Sequence, residues 1–434
     1  MFSKLIALLA VPVVLGAQQM TDTIAYRPVT LVDAVRLAKE NNVSAVTAVN
    51  SVRNANLQIR SARAELYPSV TGSLNQSKSS GERLGQSGTL VPYNSAWTYS
   101  TGLTIGQTLF DGGKSFADVR ARKADVVAAE ANVTTTEFSV ALQVKQQYNA
   151  VLAAKEQEAA ARAQLELANQ ELQVSIAKVN AGAANVADSL NNVVAVGNAQ
   201  INILTAQQNA RAASAALTRL VGTPYLITAV TSDTVDLPRA TLDSATLMTW
   251  ALDGPVVRQF QAQLASAEAA QRSAKTGYLP TVTARFNYGG NGTSAYGIGA
   301  DPFPYSKALA LSLNYPIFNG YQRENAVAAA QINAENAQAQ IKDQKLAAQQ
   351  TIITQIGLLR NDEDKIRVQL ISIRASEEAL RVTQQRYALG AGTLVDVLTS
   401  QSNLILARQQ LIQTRLDYRN ARAQIEAFIG RDLP

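Results

Sequence analysis

Two stretches, Ser115 to Val179 and Tyr321 to Leu389, contain no proline and between them a single glycine, Gly357. Nothing else in the chain constrains its fold as strongly. Proline breaks a helix and glycine weakens one, so these runs predict two continuous helices, each about 100 Å long at ~1.5 Å per residue. Helices of that length live in coiled coils or bundles. The last segment of the chain shows the seam. Val397, Leu404, Leu411, Tyr418 and Ile425 recur every seventh residue, and the mostly small Ser400, Ala407, Thr414, Ala421 and Phe428 stand three further on. One large and one small seam lets neighbouring helices approach closely over many turns. Arg408, Arg415 and Arg422 recur on a different face, which reads as a solvated one.

The chain repeats itself. Phe110, Gly112, Gly182, Asp188, Leu190, Arg211 and Gly222 fall 208 residues before Phe318, Gly320, Gly390, Asp396, Leu398, Arg419 and Gly430. Earlier in each half the offset is 212: Arg60, Ser61, Ala62, Pro68, Val70 and Asn75 precede Arg272, Ser273, Ala274, Pro280, Val282 and Asn287. A period this long is a duplicated domain-sized element and not a solenoid unit. The organisation read from it is a signal peptide at 1–17, a first repeat at 18–222, an equatorial linker at 223–242 carrying Pro224 and Pro238, a second repeat at 243–430 and a tail at 431–434. Each half runs short helix, strand, loop, strand, long helix, tight turn, short helix. Two short helices of about 35 residues stacked end to end match one long one.

The strands alternate. Leu103, Ile105 and Leu109 interleave with Thr104, Gly106 and Thr108; Val282, Ala284, Phe286 and Tyr288 with Thr283, Arg285 and Asn287; Leu309, Leu311, Leu313 and Tyr315 with Ala310, Ser312 and Asn314. One apolar face over about ten residues is the pattern of a tilted membrane-spanning strand. Rings cluster at both ends: Tyr67, Phe110, Tyr278, Tyr315 and Phe318 at one, and Trp97, Tyr99, Tyr288, Phe303 and Tyr305 at the other. Such girdles suit two water interfaces. Four strands cannot close a barrel, for which about eight is the working minimum, so copies of the chain have to associate. The glycine-rich stretches at 81–88 and 289–299 read as surface loops between these strands, since neither leads into a helix as a phosphate or dinucleotide loop requires.

Composition narrows the chemistry. There is no cysteine and no histidine, so disulfides, cysteine zinc sites, iron–sulfur clusters, thiol nucleophiles and histidine bases are excluded, and no cofactor or metal site is expected. A net charge of +6 from 39 basic and 33 acidic residues is too dilute for nucleic acid. Met1 to Ala17, with Lys4 and an apolar stretch from Leu5 to Leu15, is a secretory signal too short to span a bilayer.

The run Tyr387-Ala-Leu-Gly390-Ala-Gly-Thr-Leu-Val-Asp396-Val-Leu398 resembles the outer membrane efflux protein family of TolC-like channels. So do Leu66-Tyr-Pro68-Ser-Val70 with Leu279-Pro280-Thr-Val282, and Leu109-Phe110-Asp-Gly112 with Ile317-Phe318-Asn-Gly320. The likeness spans roughly residues 28–432. It implies a mainly α chain with a transmembrane β-barrel portion, a homotrimer whose twelve-stranded barrel sits in outer-membrane lipid and continues as a twelve-helix tube across the periplasm of a Gram-negative-type bacterium. It also implies an exit duct that meets a periplasmic adaptor and an inner-membrane pump or secretion ATPase, and a periplasmic tip that closes by inward curling. The family's type member, TolC itself, has an arginine two residues beyond the matching glycine and a second aspartate three beyond the first; here Gly392 and Thr399 stand there.

The site residues expected at that tip are Gly182 and Gly390 in the turns, Asp188 and Asp396 where the returning helices begin, and Tyr387 beside the second turn. A carboxylate in a first helical turn suits the helix dipole, and repeated around a narrow mouth it would also select cations. Tyr387 is a candidate for a bond across the closed tip. The expected activity is passive conduction of small molecules such as drugs and toxic compounds. The alternatives are type I protein secretion, and a non-transporting periplasmic coiled-coil adaptor or stalk. No enzyme is expected.

Overall fold

The computed structural model describes residues 26–433 apart from 85, 87, 183–184, 231–242 and 299–301. The signal segment 1–17 and most of the linker at 223–242, with Pro238, lie outside the described residues. The described chain opens with β1 (Arg27–Val29), α1 (Leu31–Asn41) and α2 (Val43–Ala64). Then come β2 (Ser69–Ser77), β3 (Ser80–Leu84), β4 (Leu90–Asn94), β5 (Thr98–Phe110), α3 (Lys114–Asn180) and α4 (Val186–Val221). The second half has β6 (Ile227–Ala229), α5 (Ser244–Leu252), α6 (Pro255–Lys275), β7 (Thr281–Gly292), β8 (Tyr305–Asn314), α7 (Gln322–Ala388) and α8 (Leu394–Ile429).

Helices α3 and α7 are each 67 residues long, and α4 and α8 are each 36. The expected single short helix before each strand pair is instead broken in two. Asn42 ends α1 and caps α2, its side chain accepting from the Ser44 N–H at 2.9 Å. In the second half the break falls at Gly254, with Pro255 as the first residue of α6. A proline there has no N–H to lose, so it starts a helix easily and continues one badly.

Strands β2, β5, β7 and β8 form one antiparallel sheet in that order. The register puts Val70, Ile105, Phe286 and Leu309 in one cross-strand row and Thr71, Thr104, Asn287 and Ala308 in the next. One face is therefore mainly apolar, interrupted by Gln76, Thr101, Gln107 and Lys307, and the other carries hydroxyls and amides, with Thr104 donating to Asn287 at 3.0 Å. The apolar face is bare, Leu309 being 80% exposed and Leu313 72%. Lys307, opposite Tyr288 on this face, holds its ammonium 5.9 Å from that ring, at the aromatic end where a long cation reaches water. Tyr288 and Tyr305 stack there with Phe303 tilted against Tyr305, and Phe318 meets Tyr321 edge-on at the other end.

Both glycine-rich stretches follow expectation in part: Gly88 and Gly297 lie in a bend and a turn with φ 75 and 85, whereas Gly81 and Gly289 lie in strands. Gly289 to Gly292 continue β7 and do not form a loop. A Cβ on Gly289 would lie 2.5 Å from the Thr101 carbonyl oxygen, and one on Gly290 2.5 Å from that of Pro304. Backbone crowding, not turning, selects glycine at these two places. The 81–88 stretch lies on and beyond β3, which pairs with β4 as a second hairpin extending past the sheet.

The largest core lies midway along the long helices. Tyr148, Val144, Val151 and Leu152 of α3 meet Ala34 and Ala38 of α1, Leu217 and Val221 of α4, and the parallel pair β1–β6. The Tyr148 hydroxyl donates to the Val29 carbonyl at 3.2 Å and accepts from the Val230 N–H at 3.1 Å, so it joins the ends of both short strands. Ile352 of α7 anchors a second cluster with Leu247 and Ala251 of α5 and Ile425 and Ile429 of α8. The heptad residues Val397, Leu404, Leu411, Tyr418 and Ile425 are all buried.

Arg422 departs from the solvated face expected of it. It donates to Glu426 at 3.2 Å and to the Leu433 carbonyl at 2.6 Å, while Lys145 of α3 donates to Glu426 at 2.7 Å and to Asp432 at 2.6 Å. Burial alone would lower the Lys145 pKa, but the bonds to Asp432 and Glu426 win and raise it. The two halves and the C-terminus are thus tied through the buried Glu426. Removing one member of a buried ionic cluster strands the others, at a cost of roughly 3 kcal/mol. Glu426→Leu is therefore expected to move the urea midpoint of the detergent-solubilised protein strongly downward, and a change below about 1 kcal/mol, a surface-pair value, would show that the cluster does not hold the halves.

Candidate functional site

The ends of the long helices farthest from the sheet carry two tight turns side by side. Gly182 (φ 70) and Gly390 (φ 73) both lie in the left-handed region, and neither has another atom within 4 Å of where a Cβ would stand. Glycine is needed there for the backbone angle and not for space. After Gly390 the Ala391 N–H returns to the Arg386 carbonyl at 2.8 Å, and the Arg386 guanidinium donates to the Ala391 carbonyl at 3.3 Å. Gly392 is packed, since a Cβ on it would lie 3.2 Å from the Arg386 Cβ.

The two aspartates, matched in sequence, are used differently. Asp396 joins Thr393 in a reciprocal cap: its carboxylate accepts from the Thr393 N–H at 3.1 Å and hydroxyl at 2.8 Å, and its own N–H donates to Thr393 Oγ1 at 3.3 Å. Those bonds, backbone first, and then the charge of Arg386, hold its carboxyl below the usual range. In the first half Asn185 does the capping, accepting from the Ala187 N–H at 3.1 Å, which leaves the Asp188 carboxylate out of the cap.

Asp188 instead faces Tyr387. The Tyr387 hydroxyl is buried and closes no hydrogen bond of good geometry; burial first, and then the adjacent Asp188 charge, push its pKa up. On the other side Lys178 of α3 places its ammonium 3.9 Å from the Tyr387 ring centroid and donates to the Tyr387 carbonyl. One residue of α7 is therefore gripped by a cation from α3 and faced by an anion from α4. A turn further up, Gln384 donates to Glu171 at 3.0 Å. The structure brings Tyr387 and Asp188 together and leaves Asp396 apart in its own cap. Lys178, Glu171, Gln384 and Thr393 are participants that the pattern of turns does not single out, although Lys178 sits four residues before a turn glycine, where a basic residue suits the helix dipole. Among the described residues there is no cluster able to hold a metal ion, and no helix is long and apolar enough to cross a membrane.

The sequence profile of the outer membrane efflux protein family matches residues 34–223 and 252–431. The chain belongs to this family. Efflux-family relatives include the pyoverdine export outer membrane protein OpmQ of Pseudomonas aeruginosa, 26% identical over 88% of this chain and 80% of that protein. The alkaline protease secretion protein AprF of the same organism is 21% identical over 92% of this chain and 84% of its own length. Among solved structures, CusC superposes with a TM-score of 0.76 at 20% identity, covering 94% of this chain and 93% of that one. The open state of the Neisseria gonorrhoeae MtrE outer membrane channel gives 0.73 at 20% identity, covering 93% and 89%. This efflux protein is thus a TolC-like outer-membrane channel that extends into the periplasm.

Two outcomes are expected at the tip. Lys178→Met removes a cation–π contact and a charged donor together, of order 1.5 kcal/mol, and should speed hydrogen exchange at the two turns about tenfold relative to the equatorial helices. For Asp396 the folded pKa is depressed, so the cap contributes above the ordinary carboxylate value and is lost as pH falls through the folded one. Exchange at the start of α8 should therefore rise below about pH 4, and a Thr393→Val variant should already show it at pH 7.

Proposed function

We propose that this channel is the passive exit duct of a tripartite export system. In this reading the chain is an internal duplication, 18–222 and 243–430 about the 223–242 linker, which assembles as a homotrimer. Twelve strands then close in outer-membrane lipid above twelve helices in the periplasm. The observation that carries it is the sheet: four strands with one mainly apolar face, uncovered within the chain and most exposed on β8, a polar opposite face and open edges at β2 and β8. A water-filled barrel in lipid wants that arrangement and a soluble sandwich does not. A non-transporting adaptor or stalk has no use for such a sheet, and family membership removes that reading.

The energy comes from an inner-membrane pump through a periplasmic adaptor docking at the tip. Small toxic molecules are the cargo this reading favours, in keeping with a relative named for pyoverdine export. A second reading, protein secretion driven by an ATPase, is supported by the relative named for alkaline protease secretion. The duct is generic, and the partner decides between them. The tip gate comprises Gly182, Gly390, Asp188, Asp396 and Tyr387, with Lys178 clamping Tyr387.

Reconstituted in planar bilayers, the protein should give small, discrete conductance steps. Asp396→Asn should reduce cation preference, and Tyr387→Phe combined with Lys178→Met should raise the closed-state conductance severalfold. Silent bilayers from folded protein would end the channel reading. A photo-crosslinker at the exposed Leu389 should capture an adaptor in native cells, whose genetic neighbour, pump or secretion ATPase, separates the two cargo readings.

A further inference from the structure

Midway along its length α3 is the floor of a groove walled by α1 on one side and α8 on the other, both of which pack on it. Leu31 and Val35 of α1 and Phe138, Leu142 and Leu152 of α3 give a mainly apolar lining to a cavity of about 500 Å³. Phe138 and Leu152 both line it, so along α3 it runs about 20 Å at ~1.5 Å per residue. That volume spread over that length leaves a strip roughly 5 Å across, the width of a single alkyl chain.

Four cations line the groove, Lys39, Lys145, Arg419 and Arg422, and three of them are engaged. Lys145 donates to Glu426 and Asp432, Arg422 donates to Glu426 and the Leu433 carbonyl, and Lys39, at the Phe138 end, donates to Glu137 at 3.3 Å. Asn149 is used as well, donating to Asn420 at 3.3 Å. Arg419, at the Leu152 end, is different. Its side chain is only 10% exposed, yet among the described residues its guanidinium closes no hydrogen bond. Its ionic partner Glu156 stands 3.7 Å away and does not line the groove. Burial pulls the Arg419 pKa below the ordinary arginine value, and the Glu156 charge offsets this only in part. An arginine keeps its charge even so. A guanidinium held out of water with its N–H groups unmatched is costly, and the groove is the side from which acceptors can reach it.

We infer that this groove binds a single-chain anionic amphiphile, a long-chain fatty carboxylate, with its head on Arg419 and its chain laid along α3 toward Phe138. A carboxylate matches the guanidinium fork with two parallel hydrogen bonds. The chain asks no hydrogen bonds of the lining, whose other polar groups already satisfy one another. A strip one chain wide excludes the paired chains of a phospholipid. The site is complete within one copy of the chain and depends on neither self-association nor transport. Occupied, it ties α1 of the first half to α8 of the second across α3.

Native mass spectrometry of the maltoside-solubilised protein counts bound molecules once the micelle is stripped away. With palmitate as the probe, one molecule per chain is expected, held at least about tenfold more tightly than hexadecanol, which keeps the chain and lacks the charge. Arg419→Gln should weaken palmitate about tenfold and leave hexadecanol unchanged. Ala427→Phe puts a ring into the groove, which Ala427 lines, and leaves the guanidinium alone. It should block both probes, and it keeps the test decisive if Arg419→Gln does not fold. Equal binding of palmitate and hexadecanol, or unchanged palmitate binding in either folded variant, overturns the site. Displacement of palmitate by an equal concentration of dipalmitoyl phosphatidate overturns the single-chain assignment in favour of a membrane phospholipid.

Discussion

An unpaired strand edge cannot be left in hydrocarbon, and much else in this chain answers to that single constraint. The sheet has four strands, one lipid-suited face and two open edges. Backbone N–H and C=O groups along β2 and β8 cost several kcal/mol each in lipid unless another strand pairs with them. In the trimer proposed above, neighbouring copies supply those partners. β8, α4 and α7 expose apolar residues such as Leu309, Leu204 and Ile353, and the same proposal gives these a lipid boundary or a neighbouring copy to meet.

The cores support the same division of labour. Neither end of the long helices is heavily packed within one chain, and the densest packing is at the middle, where Tyr148 and Ile352 sit among short strands and short helices. The ionic cluster around Glu426 belongs to this belt and joins the first half to the C-terminus. Away from the belt, apolar clusters are smaller, as at Leu380, Val397 and Leu404, and polar bonds such as Ser273 to Asp118 and Gln384 to Glu171 stand beside them. Polar seams are weaker than apolar ones but fix the pairing of neighbours, which suits walls facing water on both sides.

Periodicity made the long helices, the sheet strands and the heptad seam of α8 legible from residues alone, because each is a local pattern repeated many times. What escaped was whatever depends on partners distant in sequence. Lys178 and Tyr387 are 209 residues apart, so nothing near either announces the cation over the ring. The three-residue strands β1 and β6 have no pattern of their own and exist because Tyr148 and Thr218 satisfy their backbone. Gly289 and Gly290 were misread because glycine ordinarily marks a turn, whereas here it answers to backbone crowding. The two aspartates looked equivalent, and the capping partner three residues earlier, Asn185 in one case and Thr393 in the other, separated their roles.

The position of the equatorial packing has a mechanical consequence. Tyr148 stands near the centre of the 67 residues of α3, so the helix extends about 50 Å on either side of its best-anchored point. Such a helix behaves as a balanced lever with its fulcrum at the belt. A rotation of only about 5° there carries the far end about 4 Å, roughly the width of a methylene chain, and several arms moving together would change an aperture by twice that. Little local rearrangement is therefore needed for a large displacement at the far end of the helix, and the fulcrum is the place where the Tyr148 hydroxyl ties α3 to the short strands β1 and β6.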